Sequence, residues 1–263
     1  MPWSALPLRG RGQGPYRGNV HFDKVFKGFR CINKIARPTR ARQRRDKGSY
    51  TGLLQQLSET GVMLASTEGR ADIPLADVLE IRFLKSPKYK VGNAKRSQVV
   101  FVDGSQITCR KVTTAGETIF LESERLGTIK LALSSVRSIR FDLSNIQFAA
   151  SWQAVARRKL KNDLIVIPKK KVLDPVRGVI GGIDKNNVIF LLDGEEIPVK
   201  REKTYGVVYA RENVPISSAV CEVSLDNSDR VTVQRIVWNG KSFQTRIADG
   251  VDVMLPVHAV TAL

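Results

Sequence analysis

Two stretches decide the reading: Tyr50–Phe83, YTGLLQQLSETGVMLASTEGRADIPLADVLEIRF, and Ile107–Phe141, ITCRKVTTAGETIFLESERLGTIKLALSSVRSIRF. With one residue inserted in the second, nine positions coincide. They are Thr51 with Thr108, Leu64 with Leu121, Ser66 with Ser123, Gly69 with Gly127, Leu75 with Leu133, Val78 with Val136, Ile81 with Ile139, Arg82 with Arg140 and Phe83 with Phe141. An ordered match of this kind marks an internal repeat, each copy being one supersecondary unit. Leu64, Leu75, Val78, Ile81 and Phe83 are therefore expected in a core, together with Phe120, Phe141 and Phe190.

Two further copies follow by pattern rather than identity. In 164–209, Gly178 and Ile197-Pro198 stand where Gly52 and Ile73-Pro74 stand in the first copy. In 220–263, Leu255, Val257, Val260 and Leu263 repeat the spacing of Leu131, Leu133, Val136 and Ile139. Within each copy, short β-branched or alternating runs such as Val99–Val102 and Thr128–Leu133 are separated by Asp103-Gly104, Asp193-Gly194, Asn239-Gly240 or Asp249-Gly250, which suit tight hairpins. Four or five such strands in about 40 residues would curl into a small twisted barrel. The segment between Pro74 and Val78, like that between Leu133 and Val136, reads as a one-turn connection before the last strand. Ser151–Lys161 alone has helical spacing, with Trp152, Val155, Ala156 and Leu160 on one side and Ser151 as cap.

The fold class read from these features is all-β: tandem small SH3-like or Sm-like β-barrel units with one short linking helix. The expected organisation is a basic, disordered segment at 1–47, an incomplete first repeat at 48–84 and a second at 97–142. A linker with the helix at 143–163, a third repeat at 164–211 and a fourth at 218–263 complete it. The first unit reads as incomplete because the alignment, extended backwards, puts Arg42-Gln43-Arg44-Arg45 where the second copy has Val99-Val100-Phe101-Val102. The fourth stops at Leu263, before any counterpart of Arg140-Phe141, so both ends read as cut.

Charge is unevenly spread over the 263 residues, whose formal net charge is +18. Residues 1–50 carry 13 Lys and Arg against Asp23 and Asp46, while the rest carry 30 bases and 23 acids. Five arginines crowd 37–45, a stretch that repels itself and stays solvated. Such an arm neutralises phosphates on nucleic acid or meets an anionic surface, or is simply a flexible tail. No secretory signal is visible, and no run of about 18 apolar residues offers a transmembrane helix.

Catalysis has little to stand on. The two histidines, His21 and His258, and the three cysteines, Cys31, Cys109 and Cys221, are scattered, and no phosphate-binding glycine loop occurs. The acids of Glu122-Ser123-Glu124 and Asp193-Gly194-Glu195-Glu196 fall at hairpin turns, where acids are ordinarily solvated. No enzyme, cofactor or metal is expected. The alternative to a scaffold is nucleic-acid binding through Arg40, Arg42, Arg44 and Arg45 of the arm and a rim on the barrels. That rim would comprise Lys169, Lys170, Lys171, Lys200 and Arg201, with Arg157-Arg158-Lys159 beside it and Tyr205 or Tyr209 for stacking. Few other aromatics are placed to stack.

The phrases Ile73-Pro74-Leu75-Ala76-Asp77-Val78-Leu79-Glu80-Ile81-Arg82-Phe83, Val102-Asp103-Gly104-Ser105 and Leu192-Asp193-Gly194-Glu195-Glu196-Ile197-Pro198-Val199-Lys200 carry a resemblance. Over about 48–263 the chain resembles the β-repeat region of large exported planctomycete proteins, which an NPCBM-type carbohydrate-binding module often follows. The resemblance implies a non-enzymatic, envelope-associated scaffold, with a protein or glycan component of the cell envelope as partner. No glycan-binding residue carries over, since those would lie in the module. The strand–Asp-Gly–strand opening and closing Ile-Arg-Phe are also similar to Sm-like proteins. That likeness is one of fold, because the family's RNA-contacting Asn and its Arg-Gly pair have no counterpart in either copy.

Overall fold

Alternation of apolar and polar residues with period two, interrupted by glycine and Asx turns, makes most of the described residues strand. The computed structural model describes the backbone of residues 19–21 and all of 50–83, 95–214, 218–247 and 250–263. These residues form antiparallel β-sheet and one α-helix, α1 (Ala149–Ala156).

The described strands fall into four groups of five. The first holds β1 (Asn19–His21), β2 (Thr51–Leu57), β3 (Gly61–Ser66), β4 (Gly69–Pro74) and β5 (Arg82–Phe83). The second holds β6 (Ser97–Phe101), β7 (Gln106–Ala115), β8 (Thr118–Ser123), β9 (Gly127–Ala132) and β10 (Val136–Arg140). The third holds β11 (Asp163–Lys169), β12 (Val172–Ile183), β13 (Asn187–Leu192), β14 (Glu195–Lys200) and β15 (Gly206–Val208). The fourth holds β16 (Cys221–Leu225), β17 (Arg230–Trp238), β18 (Ser242–Ile247), β19 (Asp252–Pro256) and β20 (Val260–Ala262).

In every group the hydrogen-bonded order is fifth, first, second, third, fourth strand. The second strand carries a bulge at Gln55, Arg110, Gly181 or Gln234, and the bend lets one long strand serve two neighbours. One turn of 3₁₀ helix joins the fourth strand to the fifth, at Leu75–Asp77, Leu133–Ser135, Arg201–Lys203 and Val257–Ala259. Gly52 and Gly178 are matched for a physical reason. A Cβ there would lie 2.5 Å from the Ala65 carbonyl oxygen and 2.4 Å from that of Leu191, where the second strand crosses the third.

No group closes into a barrel, contrary to the closed units expected. The fifth strand would have to pair with the fourth, but its free edge is taken by the fifth strand of another group. β10 pairs with β15 about Ile139 and Val207, and β5 with β20 beside Ile81 and Leu263. The amides of Ile81 and Leu263 each donate to the other's carbonyl at 3.0 Å. Likewise Phe141 N–H donates to Tyr205 O and Tyr209 N–H to Arg137 O, both at 3.0 Å. A third junction joins β7 to β17 at Gln106 and Arg230. There Thr108 N–H donates to the Asp229 carboxylate and Thr232 N–H to Ser105 Oγ, each at 2.9 Å.

One apolar core runs through all four groups, including Val99, Ile119, Leu121, Ile139, Val188, Val207, Val233 and Phe243. Leu64, Ile81, Phe141 and Phe190 are buried in it, and Leu75, Val78 and Phe83 pack against it. Phe120 does not join them: β8 turns Ile119 and Leu121 inward, so Phe120 faces outward, with Lys130 Nζ 5.8 Å from its ring centre.

Two other expectations need correcting. The first group is not left open by an arginine-rich edge. Asn19–His21, within the segment expected to be disordered, pairs with Thr51–Leu53 on one side and with Arg82 and Phe83 on the other. It takes the place assigned to 42–45, which lie outside the described residues. A strand centred on Val20 is suited to such an edge, whereas three arginines are not. The helix is also shorter than 151–161 and starts earlier. Its N-cap is Phe148 without a side-chain bond, so Ser151 is no cap. It stops where Arg137 Nη2 donates to the carbonyls of Ala156 (3.3 Å) and Arg158 (2.8 Å), satisfying the groups a helix end leaves free. Among the described residues no helix is long and apolar enough to cross a membrane.

Candidate anion-binding cleft

Strands β6, β10, β15 and β11 form one continuous sheet, whose outer face is divided in two. Over β11 and β15 lies α1. Phe148, Trp152 and Val155 pack on Leu164, Val166, Tyr205 and Val208 in a second apolar cluster. Gly206 makes the contact possible, since a Cβ there would stand 2.4 Å from Ile139 O and 2.5 Å from the Trp152 ring.

Over β6 and β10 the helix does not cover the same face, which carries mostly polar side chains and floors a cleft. Gln98, Val100, Ser138 and Arg140 supply the floor of a cleft of about 570 Å³. The helix flank and the residues after it, Arg157, Lys159 and Leu160, make one wall, and Arg211–Asn213 the other. Five cations, Arg137, Arg140, Arg157, Lys159 and Arg211, meet there with a single acid, Glu212.

Three of the cations are held by neutral acceptors. Arg137 Nη1 donates to Tyr209 O at 2.8 Å, while its Nη2 closes the helix. Arg140 Nη2 donates to Asn145 O at 2.6 Å and Leu143 O at 3.4 Å, and the guanidinium stands 5.2 Å from the Tyr205 ring centre. Arg211 Nη1 donates to Val136 O at 2.7 Å and to Leu133 O, with the guanidinium 4.5 Å from the Tyr209 ring centre. Burial lowers the pKa of Arg137 and Arg211 from the ordinary guanidinium value. Arg140 is only 9 % exposed, and its Nε is buried with no hydrogen-bond acceptor. Among the described residues, none of the five cations forms an ion pair.

The residues singled out from the sequence are not brought together. Arg40, Arg42, Arg44 and Arg45 lie outside the described residues. Lys169, Lys170 and Lys171 are exposed on the β11–β12 hairpin, where Lys169 pairs with Asp174 and Lys170 has a φ of 48°. Lys200 is exposed at the end of β14. Arg201 serves the fold: its Nη1 donates to Val112 O (3.0 Å) and Asp184 O (3.1 Å), and it stacks 4.6 Å from the Phe141 ring centre. Tyr205 offers no stacking face. It is 3 % exposed, packed by Phe148 and Trp152, and its hydroxyl donates to Asn145 O at 3.0 Å. Tyr209 is likewise buried. Of the basic runs, only Arg157 and Lys159 reach the cleft.

Arg137, Arg140 and Arg211 were not singled out, yet the repeat carried a signal for Arg140. Its counterpart Arg82 has Glu80 two residues before it, at 2.9 Å, whereas the place of Glu80 is taken by Ser138 in the second copy. The acid is lost and the arginine kept. Elsewhere, Glu122 pairs with Lys111 at 3.1 Å and Glu124 with Arg110 at 2.6 Å, and His258 is exposed in its one-turn helix. Burial raises the thiol pKa of Cys109, and raises that of Cys221 to about 11. No protein-family profile, curated protein or solved structure matches the chain.

Proposed function

We propose that this chain is a non-catalytic binding scaffold built of four small SH3-like or Sm-like units, fused pairwise through their last strands. The observation that carries the reading is the strand order shared by all four groups, with a bulged second strand and a one-turn helix before the fifth. Small β-units of this order serve as rigid platforms whose loops and open faces hold a partner. The resemblance of 48–263 to exported β-repeat regions supports a place at the cell envelope, with a glycan or protein component of that envelope as partner.

Nucleic-acid binding through the basic arm and the units is the competing account. It has exposed Lys169, Lys170, Lys171 and Lys200 in its favour. The two tyrosines on which its base stacking rested, Tyr205 and Tyr209, are buried.

The test compares the full chain with a variant in which Arg40, Arg42, Arg44 and Arg45 are all changed to Gln. Truncation at residue 48 would remove β1 and is avoided. Binding to labelled single-stranded RNA and to envelope glycans is measured from low to high salt. The scaffold reading expects RNA binding to be steeply salt-dependent and lost in the variant. RNA affinity that survives at physiological salt in the variant overturns it.

A further inference from the structure

We propose that the cleft beside α1 binds a compact anion carrying two or more phosphoryl groups, a ligand class beyond the scaffold reading. The argument starts from charge balance. Burying a cation is costly unless it is paired, and arginines in protein interiors ordinarily meet carboxylates. Here Arg137, Arg140 and Arg211 are drawn in by main-chain carbonyls instead, which hold the guanidinium groups in place without neutralising them. Exposed Arg157 and Lys159 add to the same field, against which stand Glu212 on the wall and, behind Arg211, the Asp163 carboxylate, itself held by the Ala210 and Ile180 amides.

The second observation is Arg140 itself. Nine-tenths buried on the cleft floor, it has Nη2 committed to Asn145 and Leu143 while Nε lacks an acceptor. Among the described residues no carboxylate pairs with its guanidinium, so an anion on the floor meets that charge where little water screens it. Multiple phosphoryl groups fit better than one carboxylate because the positive groups are spread over floor and both walls. The volume, about 570 Å³, falls in the range of small-molecule sites. A phosphodiester strand offers the same chemistry, but the cleft lacks exposed rings on which bases stack, since Trp152 turns its indole onto the sheet.

The experiment is calorimetric titration of the full chain with tripolyphosphate, with orthophosphate and with a single-stranded oligodeoxynucleotide at fixed ionic strength. Arg140 and Arg137 hold carbonyls of the fold, so the test variant is Arg157→Gln with Lys159→Gln. Its charge-matched control is Lys185→Gln with Lys241→Gln, two exposed lysines that do not line the cleft. The expected result is one tripolyphosphate per chain, bound more tightly than orthophosphate. The cleft variant should then lose at least about fivefold in affinity and the control less than about twofold. Equal losses in both variants would show diffuse surface attraction and overturn the site. So would no binding of tripolyphosphate, or oligonucleotide binding that alone responds to the cleft variant. None of these outcomes decides the scaffold reading, which the arginine-arm experiment tests separately.

Discussion

Two halves of one sheet make the instructive comparison in this molecule. β10 and β15 pair about Ile139 and Val207, so each outward position of the second group has a counterpart in the third. Gln98 corresponds to Leu164, Val100 to Val166, Ser138 to Gly206 and Arg140 to Val208, while Arg137 corresponds to Tyr205. The third group's set is apolar or small and lies under α1; the second group's is largely polar or charged and floors the cleft. The inner faces hardly differ, since both feed the common core. A handful of outward substitutions on like backbones is thus enough to turn a docking surface for a helix into a basic cleft.

Removing the cover should have the largest effect. Trp152→Ala takes the central ring out of the second cluster and is expected to cost about 3–5 kcal/mol, the usual loss for a buried aromatic. Phe141→Ala, on the common core between the halves, is expected to cost about the same. Urea unfolding measures both, and a loss under about 1 kcal/mol for Trp152→Ala would mean that α1 is not held to the sheet as described. Next comes Gly206→Ala, expected to cost about 1–3 kcal/mol because the new methyl meets the Ile139 carbonyl and the indole. Ser138→Ala, at the corresponding position on the cleft floor, should cost less, since it adds no atom to a close contact. Equal losses would erase the difference between the halves.

Much of the framework was legible because it is local. The period-two runs, the Asp-Gly turns and the one-turn helices depend on neighbours in sequence, and the nine matched positions fall at corresponding places in the first two groups. The pairing of fifth strands across groups was not legible, since it depends on which edges meet after each group has formed. Residues 19–21 give no signal of their own, since three residues carry too little pattern to mark a strand. Tyr205 reads as a surface residue for a related reason: beside Lys200, Arg201 and Lys203 it has the company of one, but α1, far earlier in the chain, folds back over it. The cleft arginines were hidden in strands, where only the exchange of Glu80 for Ser138 gave a hint.

A smaller effect tests the other junction, where Ser105 and Asp229 hold corresponding places in β7–β17. Burial raises the pKa of Asp229 above the ordinary 3.8, against hydrogen bonds from Thr108 and Asn227 that lower it. The folded state therefore binds this proton more tightly than the unfolded one. Stability from this group is greatest below the ordinary value and falls as pH rises through the raised one. Asp229→Asn keeps an acceptor for Thr108 but does not titrate. Urea midpoints between about pH 3 and 7 should show the natural chain losing ground to the variant as pH rises. A difference independent of pH would mean that this carboxylate is not desolvated in the folded protein.

The smallest expected effect bears on the absent acid. Arg82 is exposed and Glu80 partly so, 54 % and 32 % accessible, and Glu80→Ser should cost no more than about 1 kcal/mol by thermal unfolding. Water screens that pair, and its loss matters little. The same acid opposite Arg140 would face a guanidinium with little water around it, so Ser138 in that place leaves a charge that solvent does not compensate. A large loss for Glu80→Ser would show instead that surface pairs hold these sheets together. The contrast between Glu80 and Ser138 would then say more about sheet stability than about an anion.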